Sequence, residues 1–439
     1  MIGITMFVTA LALLLLGFPV AFTFGGVAVF FGLFAEGPGI FAMMPHRIWA
    51  IMNNTVLMAV PLFIFMGIVL QKSRLAERLL ESMGFLFGKV RGGIAISTVL
   101  VGALLAASTG VVGASVVAMG VISLPVMLKY HYDKRVATGT ICAAGTLGQI
   151  IPPSIVLVIL GDVFQEPVGD LFRAAFWPGI SLVAIYVLYL LAVTFFNKDL
   201  APAIPPRSGT GAAKGGKDEP DGRSHVQDAL FAIIPPLTLI VLVLGSILSG
   251  IATPTESSSV GGIGAIALAL FYRQFSFRML MDSALETVRI TAMVFAILIG
   301  ATAFSMVFTY TGGDYLVEDF MMGLPGEKWG FIILSMLAIL VLGFFIDFVE
   351  ISYIIVPILA PIAAALNIDP LWYAILVALN LQTSFLTPPF GFSLFYLKGV
   401  APSGVTTTDI YRGVTPFILL QVTILGVLVV FPEFFGFSS

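Results

Sequence analysis

Gly145-Thr146-Leu147-Gly148-Gln149-Ile150-Ile151-Pro152-Pro153 and Asn380-Leu381-Gln382-Thr383-Ser384-Phe385-Leu386-Thr387-Pro388-Pro389 decide the fold. Each lies inside an apolar segment, about 134–163 and about 370–397, long enough to cross a hydrocarbon layer of roughly 30 Å. A proline lacks the amide donor and clashes with the turn before it, so a proline pair leaves carbonyls without helical partners. Hydrocarbon tolerates such a break only where protein, water or an ion meets the freed groups. A single pair reads as a plain kink; two in one chain are read as places where polar backbone is needed at membrane depth.

The two breaks belong to a repeat. Pro125, Asp133, Pro152 and Pro153 recur as Pro361, Asp369, Pro388 and Pro389, a shift of 236. Pro19 and Gly26 recur as Pro254 and Gly261, a shift of 235. Asp170-Leu171-Phe172-Arg173 recurs as Asp409-Ile410-Tyr411-Arg412, a shift of 239. These matches run in order and nearly in phase, which reads as one unit duplicated.

Further apolar runs predict helices at about 2–17, 19–36, 54–71, 174–197, 230–250, 254–272, 290–310 and 413–433. Two stretches, about 92–128 and about 330–366, are too long for one span and are interrupted near the middle. They read as re-entrant helical hairpins that enter and leave on the same side. The tips are Ser108-Thr109-Gly110-Val111-Val112-Gly113-Ala114-Ser115 and Asp347-Phe348-Val349-Glu350-Ile351-Ser352, with Asp347 aligned on Val111. Residues 198–229 are polar and Pro-rich at both ends, and read as a solvated linker between 1–197 and 230–439. The first basic residue is Arg47, so the N-terminal apolar run lacks a signal peptide's basic start and reads as a retained span.

Charge sets the sign of the repeat, since Lys and Arg gather on the cytoplasmic side. Lys72, Arg74, Arg78, Lys89 and Arg91 precede the first hairpin, and Lys129, Lys134 and Arg135 follow it. The equivalent loops of the second half carry Asp314, Glu318, Asp319 and Glu327 with Lys328, and then Asp369. The halves are therefore read as inverted, with the linker cytoplasmic and both termini periplasmic. The expected fold is an all-α polytopic membrane protein. It has two inverted structural repeats, each with about five spans, one re-entrant hairpin and one proline-broken helix. In such transporters the substrate and coupling-ion sites lie at the midplane, between the repeats.

Composition agrees. Only 10% of the 439 residues are charged and 59% are hydrophobic, against about 25% charged in soluble domains; mean hydropathy is +1.07. A net charge of −3 argues against nucleic acid. Cys142 is the one cysteine, and His46, His131 and His225 fall in polar stretches, which disfavours thiolate-metal, haem or zinc chemistry. No G-x-x-x-x-G-K-[ST] phosphate loop is present, so no cofactor and no ATP are expected, and the chain reads as no enzyme.

Asp347 and Glu350 are the residues with the sharpest chemistry. A carboxylate at a helix centre costs roughly 2.5–3.5 kcal/mol on insertion scales, and two within one turn need a compensating partner. Either they bond a neighbouring helix, or they face a cation; sodium is favoured, more firmly for Asp347. Freed carbonyls and Thr hydroxyls at the two breaks add hard oxygens suited to the same ion. Thr253, Thr255, Glu256 and Ser257 to Ser259 read as a helix start with an N-cap, and Asn53 and Asn54 as a helix entry.

The ordered set GFPVAF at 17–22, VPLFIFMG at 60–67, PVMLKYHYDKRVATGTICAAGTLGQIIPPS at 125–154, TPTE at 253–256 and LTPPFGFSLFYLKG at 386–399 resembles the large membrane subunit (DctM type) of tripartite ATP-independent periplasmic (TRAP) transporters. The resemblance spans essentially the whole chain. It implies an elevator-type ion transporter fold, sodium coupling, a small four-helix membrane subunit (DctQ type) and a periplasmic substrate-binding protein (DctP type) that delivers an organic acid across the bacterial inner membrane. Carried over by position, sodium falls on Ser108, Thr109, Gly110, Gly113, Gly145, Thr146, Gly148 and Pro152 in the first half. In the second half it falls on Asp347, Glu350, Asn380, Thr383, Thr387 and Pro388. Candidate substrate contacts are Ser115, Gln149, Glu350, Gln382 and Ser384. Where many members carry a serine-rich tip, this chain has STGVVGAS, which resembles the mannitol, chloroaromatic or 2-oxo acid branch. A related inverted-hairpin plan belongs to stand-alone sodium/dicarboxylate symporters, which work without a binding protein.

Overall fold

The computed structural model describes residues 2–73, 75–87, 90–109, 112–203 and 225–437. Its regular elements there are all helical. The first half runs α1 (Ile2–Leu15), α2 (Val20–Ala35), α3 (Met44–Met52), α4 (Ala59–Lys72), α5 (Leu75–Phe87), α6 (Gly93–Thr109), α7 (Val112–Lys129), α8 (Lys134–Thr146), α9 (Ile155–Phe164) and α10 (Val168–Phe196). The second runs α11 (His225–Leu248), α12 (Pro254–Phe271), α13 (Phe277–Tyr310), α14 (Gly313–Met322), α15 (Lys328–Leu342), α16 (Phe348–Glu350), α17 (Val356–Ala365), α18 (Pro370–Leu386), α19 (Phe392–Val400) and α20 (Thr407–Val430). Among the described residues, five helical segments are long and apolar enough to cross a membrane; shorter apolar helices accompany them.

The duplication is visible element by element. α7 starts at Val112 and α16 at Phe348, and α8 starts at Lys134 and α18 at Pro370, both pairs at the shift of 236. α10 and α20 start at Val168 and Thr407, at the shift of 239. The equivalent starts share their chemistry: Asp133 and Asp369 are N-caps, accepting from Arg135 N at 2.8 Å and from Trp372 N at 2.8 Å. Thr253 caps α12 in a full capping box with Glu256, as its sequence predicts.

The halves interlock rather than sit side by side. α2 packs along α13, and its counterpart α12 packs along α4. α9 packs on the second hairpin, and its counterpart α19 packs on α7 of the first. Small residues permit the closest crossings. A Cβ on Gly139 of α8 would strike the Gly413 carbonyl of α20, and one on Gly413 would strike the Arg135 carbonyl. Such contacts drive helix association where no hydrophobic effect is available.

Several boundaries differ from those read in the sequence. The broken helices expected at 134–163 and 370–397 are α8 with α9 and α18 with α19; the first parts end at Thr146, before a 3-10 turn over Leu147–Gln149, and at Leu386. The span expected at 290–310 is the end of α13, a 34-residue helix about 51 Å long. Its first turns carry Arg278, Asp282, Glu286 and Arg289, and this charge hid the helix from a hydropathy reading. The run at 54–71 begins as a helix only at Ala59, because Asn54 Oδ1 accepts from Val56 N at 2.9 Å and sets a turn. The short helices α3, α5 and α14 were not expected at all. Of the linker, residues 204–224 lie outside the described residues. Its start is anchored beside the first hairpin, where Ala201 O accepts from Gly92 N at 3.0 Å and Leu200 O from Asp133 N at 2.8 Å.

Candidate functional site

The second hairpin turns at 343–347. Asp347 caps the returning helix, its carboxylate accepting from Phe348 N at 2.7 Å. Glu350 follows three residues later, on the same helical face. It is only 4% exposed, and its Oε2 is buried without a hydrogen-bond partner. Neither carboxylate has an ion-pair partner among the described residues. The backbone then widens into a π-turn over Ile351–Ile355, a form that clusters at functional sites. Ser352 Oγ, in that turn, is also buried without a partner.

The second break lies beside this tip. Gly343, in the turn, sits so close to Ser384 of α18 that a Cβ there would overlap the serine hydroxyl. Asn380 is buried and donates to Met336 O at 2.6 Å, so it fastens α18 to α15. Thr383 donates to Leu379 O at 2.8 Å, Thr387 to Thr383 O at 2.7 Å and Ser384 to Leu381 O at 2.7 Å. Each hydroxyl proton is spent on its own helix, which leaves oxygen lone pairs for another partner. Pro388 and Pro389 are joined by a cis peptide, as are Pro152 and Pro153.

In the first half, the side chains of Ser108 and Thr109 at the end of α6, and all of Gly110, lie outside the described residues. Gly113 opens α7 against the ring of Tyr396, and Ser115 is buried. Gly145 lets α8 touch α7: a Cβ there would meet Val116. Thr146 donates to Ala143 O at 2.9 Å, and Gly148 and Pro152 are buried. Gln149 is fully buried with both amide atoms unpaired. The tip of this half carries no carboxylate.

The structure spreads the expected substrate contacts. Gln382 faces into the helix core, where the Tyr186 hydroxyl of α10 and the Gln421 amide of α20 approach it; all three are buried without a well-formed hydrogen bond. Glu350, Ser384 and the hairpin turn stay together. Sequence reasoning missed Ser154 and Ser393. Ser154 Oγ donates to Gln149 O at 2.7 Å and Ser393 Oγ to Phe385 O at 2.7 Å, so one freed carbonyl in each break is met by protein. A second carbonyl, that of Pro389, accepts from Tyr411 at 2.8 Å.

The two breaks differ in exposure. Pro152, Pro153 and α9 up to Gly161 are buried, whereas Pro389, Phe390, Phe395, Tyr396 and Lys398 are exposed. The second break is thus the more open of the two, with Asp347 half-buried beside it.

Residues 7–434 match the family described as Tripartite ATP-independent periplasmic transporter, DctM component. The chain belongs to that family. It is 30% identical to the C4-dicarboxylate TRAP transporter large permease protein DctM of Pseudomonas aeruginosa over 87% of this chain and 85% of the relative. It is 28% identical to the sialic acid TRAP transporter large permease protein SiaM of Vibrio cholerae, over 97% and 95% of the two chains. It is 29% identical to the ectoine/5-hydroxyectoine large permease protein UehC of Ruegeria pomeroyi, over 98% and 96%. The solved structure of the Alcanivorax borkumensis YdaH transporter shares the fold, with a TM-score of 0.64, 14% identity and coverage of 98% of this chain and 100% of that one. As a member of this family with several apolar helices, the TRAP chain is a multi-pass inner-membrane protein.

Proposed function

We propose that this chain is the permease of a binding-protein-dependent secondary transporter that imports an organic acid together with sodium ions by an elevator movement. Its partners are a small DctQ-type membrane subunit and a periplasmic DctP-type binding protein. Glu350 carries the sodium reading. Its buried carboxylate, one turn from Asp347, has an oxygen with no partner and no cation within the described protein. A buried charge left unpaired is strongly destabilising. A sodium ion at the tip supplies the counter-charge, and the lone pairs of Thr383 and Thr387 are ligands of the hard-oxygen kind. The first-half set, Thr146 with the backbone of Gly145, Gly148 and the 108–113 tip, is proposed for a second ion on the same plan. The 2-oxo, chloroaromatic or mannitol branch is the proposed substrate range.

With the Lys-rich loops placed in the cytoplasm, the linker is cytoplasmic and both termini are periplasmic. The buried α9 then seals the periplasmic side and the exposed α19 opens to the cytoplasm, so this conformation is the substrate-releasing one. Energetics fit a scavenger. One charge moving through 100 mV gains ~2.3 kcal/mol, and a tenfold sodium gradient adds ~1.4 kcal/mol per ion. Two ions supply roughly 7.4 kcal/mol, and a monoanion leaves about 5 of it for accumulation. The test is uptake into proteoliposomes holding this chain, its small partner and the loaded binding protein, with the sodium gradient and the membrane potential set independently. Uptake that persists without sodium, or that responds to ATP, overturns the reading.

A further inference from the structure

Tyr396 stands on α19, just past the second break, and packs against the first hairpin. Its ring lies against the start of α7: a Cβ on Gly113 would come within 2.8 Å of Cζ, 2.9 Å of Cε2 and 3.1 Å of Cε1. It is also within electrostatic reach of Asp347 at the second tip. It is 42% exposed, and its hydroxyl has no hydrogen-bond partner among the described residues. The neighbouring polar groups on the same helix are committed. Ser393 bonds Phe385 O, and Lys398 Nζ donates to Val405 O at 2.8 Å. The Tyr396 phenol, with no partner among the described residues, is a side-chain donor of α19 left to address a solute there.

We propose that Tyr396 is a specificity-determining residue of the transporter: its hydroxyl donates to the carboxylate of the transported acid, from a ring seated against Gly113. A neutral donor suits this place, since a lysine or arginine so near Asp347 would pair with that carboxylate and compete with sodium. The phenol offers one proton to a substrate oxygen and leaves the carboxylates to the cation. This inference rests on the proposed sodium-coupled transport.

Two experiments test it. In proteoliposomes holding the complete transporter, initial uptake of 2-oxobutyrate, succinate, 4-chlorobenzoate and N-acetylneuraminate identifies the acid carried by the wild type. Tyr396→Phe keeps the ring on Gly113 and removes the donor. It should raise the KM for that acid about tenfold, the worth of one hydrogen bond to a charged group, with maximal rate and sodium half-saturation changed less than twofold. An unchanged KM overturns the inference. A loss of sodium dependence in the wild type itself would instead overturn the transport reading, so the two failures are distinguishable. Secondly, Cys142 is the sole native cysteine and is buried, so Tyr396→Cys carries one accessible thiol. In inside-out vesicles a membrane-impermeant maleimide should label it, and the carried acid with sodium should slow labelling several-fold. Labelling that the acid does not slow places the side chain outside the substrate path and overturns the inference.

Discussion

Ser154 and Ser393 hold the same position in the two inverted halves: each donates its hydroxyl across a proline break to a carbonyl upstream, Gln149 O and Phe385 O, both at 2.7 Å. The two carbonyls are 236 residues apart and the two serines 239 apart. The change of phase in the repeat therefore lies inside the break itself. Pro152-Pro153-Ser154 has become Pro388-Pro389-Phe390-Gly391-Phe392-Ser393 in the second half. The extra residues lengthen the second break and expose Phe390, whose ring lies tilted against that of Phe345 with centroids 5.3 Å apart. The asymmetry between a sealed first break and an open second one has this local cause.

Each serine bond predicts a stability effect. Ser154→Ala and Ser393→Ala remove a donor from a buried carbonyl, which costs about 1–3 kcal/mol. Unfolding midpoints of the detergent-purified protein should fall for both variants. Substitution by Thr, which keeps the hydroxyl, should restore part of the loss; no loss with Ala would show that the carbonyls find another partner.

Much of this was legible beforehand, for reasons that differ by element. The hairpins showed because small or polar residues cut apolar runs too long for one span, and the breaks showed because their proline pairs recur in register with polar residues before them, whereas Pro235-Pro236 lies inside α11 without ending it. Phe277–Arg289 of α13 did not show, since an amphipathic arm has too many charges for a hydropathy window and no proline to mark it. Asp347 and Glu350 were legible as charges at depth. Gln382 was legible as polar but not as facing Tyr186 and Gln421, because which way a helix turns within a bundle depends on partners 196 and 39 residues away. The serines were missed although the shift of 239 between them stood in the sequence.

Glu350→Gln and Asp347→Asn separate the two carboxylates. The first neutralises a buried oxygen that has no protein partner; the second also weakens the cap on α16. Charge count governs hard-cation affinity, so both should raise the sodium half-saturation of uptake, by about tenfold or more, equivalent to ~1.4 kcal/mol. Glu350→Gln should leave thermal stability in sodium-free buffer unchanged or higher, since a buried charge is removed. Equal sodium curves for wild type and Glu350→Gln would take Glu350 out of the ion site.

Gly391 tests the longer break. A Cβ there would lie 2.6 Å from Phe385 O and 2.9 Å from Thr387 O, both backbone atoms that cannot swing aside. Gly391→Ala should therefore shift the carbonyls that flank Thr387. Uptake should fall by at least tenfold, roughly 1.4 kcal/mol in barrier, while membrane insertion is retained. Normal uptake would show that these carbonyls can move without consequence.

The crossing of α8 and α20 gives the last prediction. Gly139 and Gly413 bring the two backbones together so closely that neither position has room for a methyl group, and the atoms each would meet are main-chain carbonyls. Thr138, one residue from Gly139, reaches across to Asp409 O at 3.4 Å, so a shift here also strains a polar contact. Overpacking of a tight contact costs about 1–3 kcal/mol even for a methylene. Gly139→Ala should therefore lower the unfolding midpoint, and Gly139→Leu should abolish accumulation of folded protein. Gly426, on the same helix α20, has open space where its Cβ would go, and Gly426→Leu is the matched control, expected to fold and transport as the wild type does. Comparing the three by fluorescence-detected size exclusion after mild detergent extraction measures the crossing directly. If Gly139→Leu runs as a sharp peak like Gly426→Leu, the two helices can separate at no cost, and the crossing does not hold the bundle together.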